Sequence, residues 1–186
     1  MKWAERRSTG VNPAMTLPEA APARIALDFD ALYRSARDDV FAYVATLMHD
    51  HGAAEDVTAL AFERAFRKRK SFDSRRGSER AWLFGIARHA ALDELRRGKR
   101  SAPLVSEPES VSPSPDEELE RTLRRAAVRT ALGALPARER ELIALKFHAG
   151  LDNAEIADVL GVSVTNAGTR LHRALTKLRE ILDDQS

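Results

Sequence analysis

Asn166 and Arg170, with Thr165, Thr169 and Arg173, fall on one side of a segment whose other side is apolar, and their chemistry is that of base reading. A side-chain amide can make paired hydrogen bonds with adenine, and a guanidinium with guanine. The apolar partners are Val164, Ala167, Leu171, Ala174, Leu178 and Ile181, recurring at steps of three and four, which define a helix with one buried stripe. Ser163 stands where such a helix needs a cap. Gly161, just before it, suits a tight turn that requires left-handed backbone. Upstream, Asn153–Leu160 reads as a short helix opened by Asp152 or Asn153, and Ala157 and Ala167 are small where the two helices would cross. This is a helix-turn-helix pattern, in which the second helix enters the major groove with its early residues at base edges. Lys177 and Arg179 lie farther along and suit phosphates, which fix position rather than sequence. The plainer reading is a helical hairpin with a basic face. Cap, glycine, small residues and basic face together favour DNA.

Little else in the chain suits chemistry. There is no cysteine, so thiolate metal sites and disulfides are excluded. There is no Gly-rich phosphate loop, Gly-x-Ser-x-Gly or HExxH motif. His49-Asp50-His51 has metal-ligand character without a complementary cluster, and reads as exposed histidines near a helix C-terminus. No catalytic residue, metal or cofactor is expected.

These residues need helices to position them. From Asp28 to Glu63 eight acids face only Arg34 and Arg37; from Arg64 to Arg100 thirteen Lys/Arg face four acids. Such segregation points to a polyanion-binding surface beside an acidic one, where solvated helix faces are the bland alternative. Phe29, Leu32, Tyr33, Ala36, Val40, Phe41, Val44 and Leu47 outline a first helix; a second is expected over about 54–69 and a third over about 78–97. Phe72–Ser78 reads as a loop between the last two. Residues 1–24, with three prolines, read as a disordered tail in which Met15 is a second possible start. Residues 101–117 are rich in Pro, Ser and Glu and read as a flexible acidic linker. The fold class is therefore all-α: two small helical domains, 25–100 and 118–184, on an acidic tether, the second a helix-turn-helix. No stretch is apolar enough to be an export signal or a membrane span, which implies a cytoplasmic protein without membrane insertion.

With these segments placed, the chain resembles the sigma-70 family of RNA polymerase sigma factors, in particular its small extracytoplasmic-function (ECF) group. The resemblance runs over about residues 27–182 apart from the linker. Ala54-Glu55-Asp56-Val57 with Phe62-Glu63-Arg64-Ala65-Phe66 is similar to the helix that docks on the polymerase clamp. Phe72–Ser78, Ala81–Arg88 and Asp93–Arg97 are similar to the promoter −10 segment. Ala134–Arg140, Ala154–Ala157 and Arg170–Ala174 are similar to the domain that reads the −35 element. The resemblance implies core polymerase as partner, through the beta-prime clamp and the beta flap, together with promoter DNA and an anti-sigma factor. It implies clamp contacts at Asp56, Val57, Phe62 and Glu63, with an intradomain cap or salt bridge as the other role for Asp56. It implies −10 contacts at Phe72, Asp73, Arg75, Arg76, Arg80, Arg88, His89, Arg96 and Arg97, and −35 contacts at Thr165, Asn166, Thr169, Arg170, Arg173 and Lys177. Trp82 lies on the apolar stripe and is expected in the core rather than as a melting wedge. Leu60 departs from the family pattern in the docking helix, which bears on the polymerase contact; His89 and Thr165–Thr169 depart from it in the DNA-reading segments, so promoter preference does not transfer. The runner-up is a stand-alone helix-turn-helix regulator, and a third reading is a helical adaptor that titrates other factors.

Overall fold

The structure, a computed structural model, describes residues 27–48, 50–98 and 117–184. The expected tail of residues 1–24, His49 and nearly all of the expected linker lie outside the described residues. Seven helices and no strand occur among them: α1 (Phe29–Met48), α2 (His51–Lys68), α3 (Glu79–Gly98), α4 (Glu117–Ala134), α5 (Ala137–Phe147), α6 (Asn153–Leu160) and α7 (Val164–Asp183). Two single turns of 3-10 helix, Arg69–Ser71 and Ser74–Arg76, carry the chain from α2 to α3.

The first three helices pack as one unit. Leu32, Ala36, Val40, Val44 and Leu47 of α1 face Ala54, Val57, Ala61 and Phe62 of α2 and Leu83, Ala87 and Ala90 of α3, all buried. Two of the largest buried side chains, Tyr43 and Phe84, lie outside the stripes expected from sequence; their rings meet edge-on with centroids 5.4 Å apart. They are buried because α1 and α3 each have a second neighbour: α1 also packs on α5, and α3 on α6. Trp82 is partly buried against the core, its ring edge-on to Phe72.

The second helix begins three residues earlier than expected, because Asp50 caps it: its carboxylate accepts from the Ala53 amide at 2.7 Å. His51 is therefore the first residue of α2 rather than part of the α1 C-terminus, and it pairs with Glu55 one turn on at 3.7 Å. Among the described residues no three His, Asp or Glu side chains gather to hold a metal ion.

In the C-terminal unit the helix-turn-helix forms where it was expected. Asp152 and Glu155 make a reciprocal capping box, the Asp152 carboxylate accepting from the Glu155 amide (2.8 Å) and the Glu155 carboxylate from the Asp152 amide (2.9 Å). Gly161 closes α6 with φ 67° and ψ 40°, and Ser163 caps α7 by accepting from Asn166. Ala157 and Ala167 are both buried. Val164 departs from the expected stripe: it is 52% exposed, standing in the first turn of α7 ahead of the crossing. The short α5 is enclosed on nearly every side, its six consecutive residues Arg140–Leu145 all buried. Arg140 reaches back to donate to the carbonyls of Leu132, Gly133 and Leu135, satisfying the orphan acceptors at the end of α4.

An added Cβ at Gly161 would meet no atom within 4 Å, so the cost of substitution there is that of the backbone alone. Gly161→Ala should lower the unfolding free energy by about 1–2 kcal/mol, measured by chemical denaturation of the full chain.

Candidate nucleic-acid interface

Two faces carry the residues expected to meet DNA. On α7, Thr165, Asn166, Thr169 and Arg173 are exposed and Arg170 half-exposed, all within the first three turns. The buried stripe Ala167, Leu171 and Ala174 holds this face outward. Lys177 turns back instead, its ammonium 3.3 Å from the Glu139 carboxylate on α5. Gly168 lies under the first residue of α6: a Cβ there would come within 3.3 Å of the Asn153 amide nitrogen.

The second face is built by the loop after α2 and by α3. Asp73 caps the short turn after it and holds the Arg75 guanidinium through two contacts of 2.9 and 2.8 Å. That pairing raises the Arg75 pKa and fixes the side chain as a cation at the loop's edge. Phe72 is buried, Arg76 exposed, and a cleft of about 500 Å³ opens between the loop and α1, lined by Leu32, Ser35, Phe72, Ser74, Ser78 and Arg80. His89, Arg96 and Arg97 are exposed farther along α3, Arg96 beside Asp93 (3.4 Å) and Arg97 beside Glu94 (3.0 Å).

The structure divides the four α2 residues. Asp56 and Glu63 are exposed, Glu63 bridged to Arg67 at 2.6 Å, and no described group pairs with Asp56. Val57 and Phe62 point the other way into the domain core, only 2% and 5% exposed, so they hold α2 in place rather than presenting a surface.

Residues 32–101 match the family model of Sigma-70 region 2, and residues 125–178 that of Sigma-70, region 4. The ECF RNA polymerase sigma factor SigL of Mycobacterium tuberculosis is 32% identical over 167 residues, covering 89% of this chain and 94% of that one. BldN of Streptomyces coelicolor, also an ECF RNA polymerase sigma factor, is 30% identical over 92% of this chain and 67% of its own length. The chain belongs to the ECF RNA polymerase sigma factors. It is thus a transcription initiation factor of the sigma-70 family, not a stand-alone regulator. Two solved structures share its fold across both units. RpoE of Bartonella quintana, in complex with the anti-sigma factor NepR, superimposes with a TM-score of 0.68 at 26% identity, over 84% of this chain and 97% of that one. CnrH, in complex with the cytosolic domain of CnrY, does so at 0.63 and 26% identity, over 85% and 89%. No helix of the described residues is long and apolar enough to cross a membrane.

In this sigma factor the two units are closed on each other, and the seam runs over part of the second face. Arg88 donates through Nε to Glu141 on α5 at 2.7 Å, and the hydroxyl of Tyr43 lies 3.4 Å from the same carboxylate oxygen. Arg80 donates to the carbonyls of Ala149 (2.5 Å) and His148 (3.1 Å) and pairs with Asp39. Ser78 donates to Glu155. Sequence reasoning placed Ser78, Arg80 and Arg88 in the −10 segment but missed Tyr43, Glu141 and Glu155, whose partners lie in the other unit.

His148 sits in this seam with its Nε2 3.4 Å from the Thr46 hydroxyl. Burial pushes its ring pKa below the usual value, while Asp39 on α1 opposes the shift; the Arg80 cation on α3 lies beside both. The folded chain therefore favours the neutral ring. Above about pH 6.5 the ring is neutral in both folded and unfolded chains, and stability is unaffected. As pH falls below that value the unfolded chain takes up the proton first. Stability contributed here should decline, levelling off once the folded ring is also protonated. Urea unfolding from pH 7.5 down to 5 should show this decline, and His148→Gln should remove it.

Proposed function

We propose that this sigma factor holds core RNA polymerase through α2 and reads promoters at two places: the −35 element with the first half of α7, and the −10 element with the Phe72–Ser78 loop and α3. The observation that carries the reading is the face of α7. Asn166 and Arg170 stand two turns or less from a capped N-terminus, outward from a buried stripe, where a groove-entering helix presents its base-reading side chains. Thr165, Thr169 and Arg173 extend that face, and Lys177 would add a phosphate contact on release from Glu139. At the −10 face an unstacked base would enter the cleft beside Phe72, with Asp73, Arg75 and Arg76 at its edge. Unstacking costs a few kcal/mol, and the loop's donors and the phosphate contacts of His89, Arg96 and Arg97 would offset it.

Asp56 and Glu63 supply an exposed acidic face for the polymerase clamp. Phe66, exposed one turn from Glu63, supplies the apolar area that the buried Val57 and Phe62 do not. Leu123 and Val128 on α4 are exposed and offer apolar side chains for the beta flap. The factor works by recruitment, with no reaction of its own, in the cytoplasm beside the polymerase. An anti-sigma factor is a further proposed partner, supported by the likeness to RpoE, solved with the anti-sigma factor NepR bound.

Run-off transcription with core polymerase on a pool of genomic fragments tests the assignment. Discrete new transcripts should appear with the wild-type chain. Arg170→Ala should reduce them by roughly ten- to hundredfold, the worth of one paired base contact. Specific DNA binding without any transcript would overturn the reading.

A further inference from the structure

The seam between the two units has a one-sided chemistry. Ser78, Arg80, Arg88 and Tyr43, all of the N-terminal unit, donate; the Glu155 carboxylate, the carbonyls of His148 and Ala149, and the Glu141 carboxylate, all of the C-terminal unit, accept. A further seam contact among the described residues, Thr46–His148, runs the other way when the ring carries its proton on Nε2, because the Thr46 hydroxyl already donates to the Ala42 carbonyl at 2.8 Å. Arg80 and Arg88 lie on one face of α3, eight residues and so about 12 Å apart along the axis. A row of donors met solely by oxygen acceptors is how a protein surface meets a nucleic-acid backbone, whose phosphates only accept.

The most enclosed part of the row is the pair at Glu141. Tyr43 has no exposed surface, and the Arg88 and Glu141 side chains are 21% and 10% exposed. Two donors from two different helices, α1 and α3, converge on one carboxylate oxygen. We propose that Tyr43 Oη and the Arg88 guanidinium form an oxyanion site that takes a promoter DNA phosphate in the open chain, and that Glu141 occupies this site in the closed chain as an internal stand-in. The proposal rests on the −10 assignment above and adds Tyr43 to the DNA-binding residues. Burial raises the Tyr43 pKa well above the phenol's usual range, so its hydroxyl keeps its proton and serves as a donor to an oxyanion. Opening the seam withdraws the acceptors from Tyr43 and Arg88 together, and a backbone phosphate restores a single oxygen to both. Arg80 and Ser78 lose their C-terminal acceptors in the same movement, Arg80 keeping only its pairing with Asp39 within its own unit.

The test needs no polymerase. Binding of a short fluorescein-labelled single-stranded DNA of mixed sequence is followed by anisotropy over a range of salt, using the full chain. Closure is followed by energy transfer between labels on Glu55→Cys and Asp183→Cys, the chain having no other cysteine. Glu141→Gln should lower energy transfer and tighten DNA binding about tenfold, as the competent form becomes the populated one. In that background Arg88→Gln should weaken binding and reduce the log–log salt slope by about 0.7, one phosphate on a single strand. Tyr43→Phe, which keeps the buried ring, should weaken binding roughly three- to tenfold and leave the slope unchanged, because the hydroxyl is neutral. Unchanged energy transfer and affinity in Glu141→Gln would overturn Glu141 as the occupant. Opening without tighter binding, or tighter binding indifferent to Arg88→Gln and Tyr43→Phe, would overturn the oxyanion site. Failure of the −10 assignment itself reads out separately: Arg75→Ala and Arg76→Ala would then leave both this binding and promoter-directed transcription intact.

Discussion

Helix α5 belongs to two cores at once, and the arrangement of the chain depends on that. Its residues Arg140–Leu145 are buried in succession, which a helix of one amphipathic face does not allow. One side closes the C-terminal unit against α7; the other lies on α1 and brings Glu141 to Arg88 and Tyr43. A charge enclosed to this degree is tolerated because it is paired and hydrogen-bonded. Removing one partner of a buried pair costs about 3–5 kcal/mol, whereas a competing oxyanion that takes over the pairing avoids most of that cost. The same contact is thus strong against water and weak against exchange. The apolar remainder of the seam, with Leu142, Leu145 and Leu151 all buried in one cluster continuous with α1 and α3, gives closure its area but no choice of partner.

The helix-turn-helix is held differently, by local backbone chemistry. The Asp152–Glu155 capping box, left-handed Gly161 and the Ser163 cap settle the angle between α6 and α7 within a dozen residues, and the Ala157–Ala167 crossing lets the two helices approach. Gly168 runs against this economy. A glycine inside a helix costs about 1 kcal/mol relative to alanine, yet here it leaves room for the Asn153 amide against the reading helix. Glu155 serves two ends: one carboxylate oxygen closes the capping box while the other accepts from Ser78 across the seam. Closure therefore draws on a group already fixed in place, which limits the side-chain entropy lost on docking.

This division explains what could be read from the sequence. The helix-turn-helix was legible almost residue by residue, Val164 excepted, because its determinants are neighbours in the chain and each has a local signature. The helices of the N-terminal unit were legible from their apolar stripes, though His51 was assigned to the wrong helix because the capping role of Asp50 went unrecognised. Tyr43 and Phe84 escaped because a periodic stripe reveals one buried side, and their burial comes from a second side facing the other unit. Glu141 escaped for a related reason: within α5 it reads as one charge of a polar run, Arg138-Glu139-Arg140-Glu141, and nothing local distinguishes the two that are exposed or partly so from the two that are buried. Val57 and Phe62 show the converse, since resemblance marks positions that matter without telling a contact from the core residue that supports it. Contacts between units more than fifty residues apart leave no periodic trace.

Closure does not treat the two DNA faces alike. Thr165, Asn166, Thr169 and Arg173 remain exposed and without acceptors across the seam, while Ser78, Arg80 and Arg88 are engaged across it, the two arginines half-buried. On the proposed assignments, a closed chain would retain its base-reading helix and withhold the donors that would hold a separated strand. The face of α7 alone, with Lys177 kept back by Glu139, would gather few phosphate contacts, and phosphate contacts dominate affinity. Stable engagement would then depend on releasing the seam, each donor freed there adding to the second face. On the proposed oxyanion site, the step from a weakly held to a firmly held promoter would be coupled to the exchange of protein acceptors for phosphates, Glu141 being the more enclosed of the two seam carboxylates.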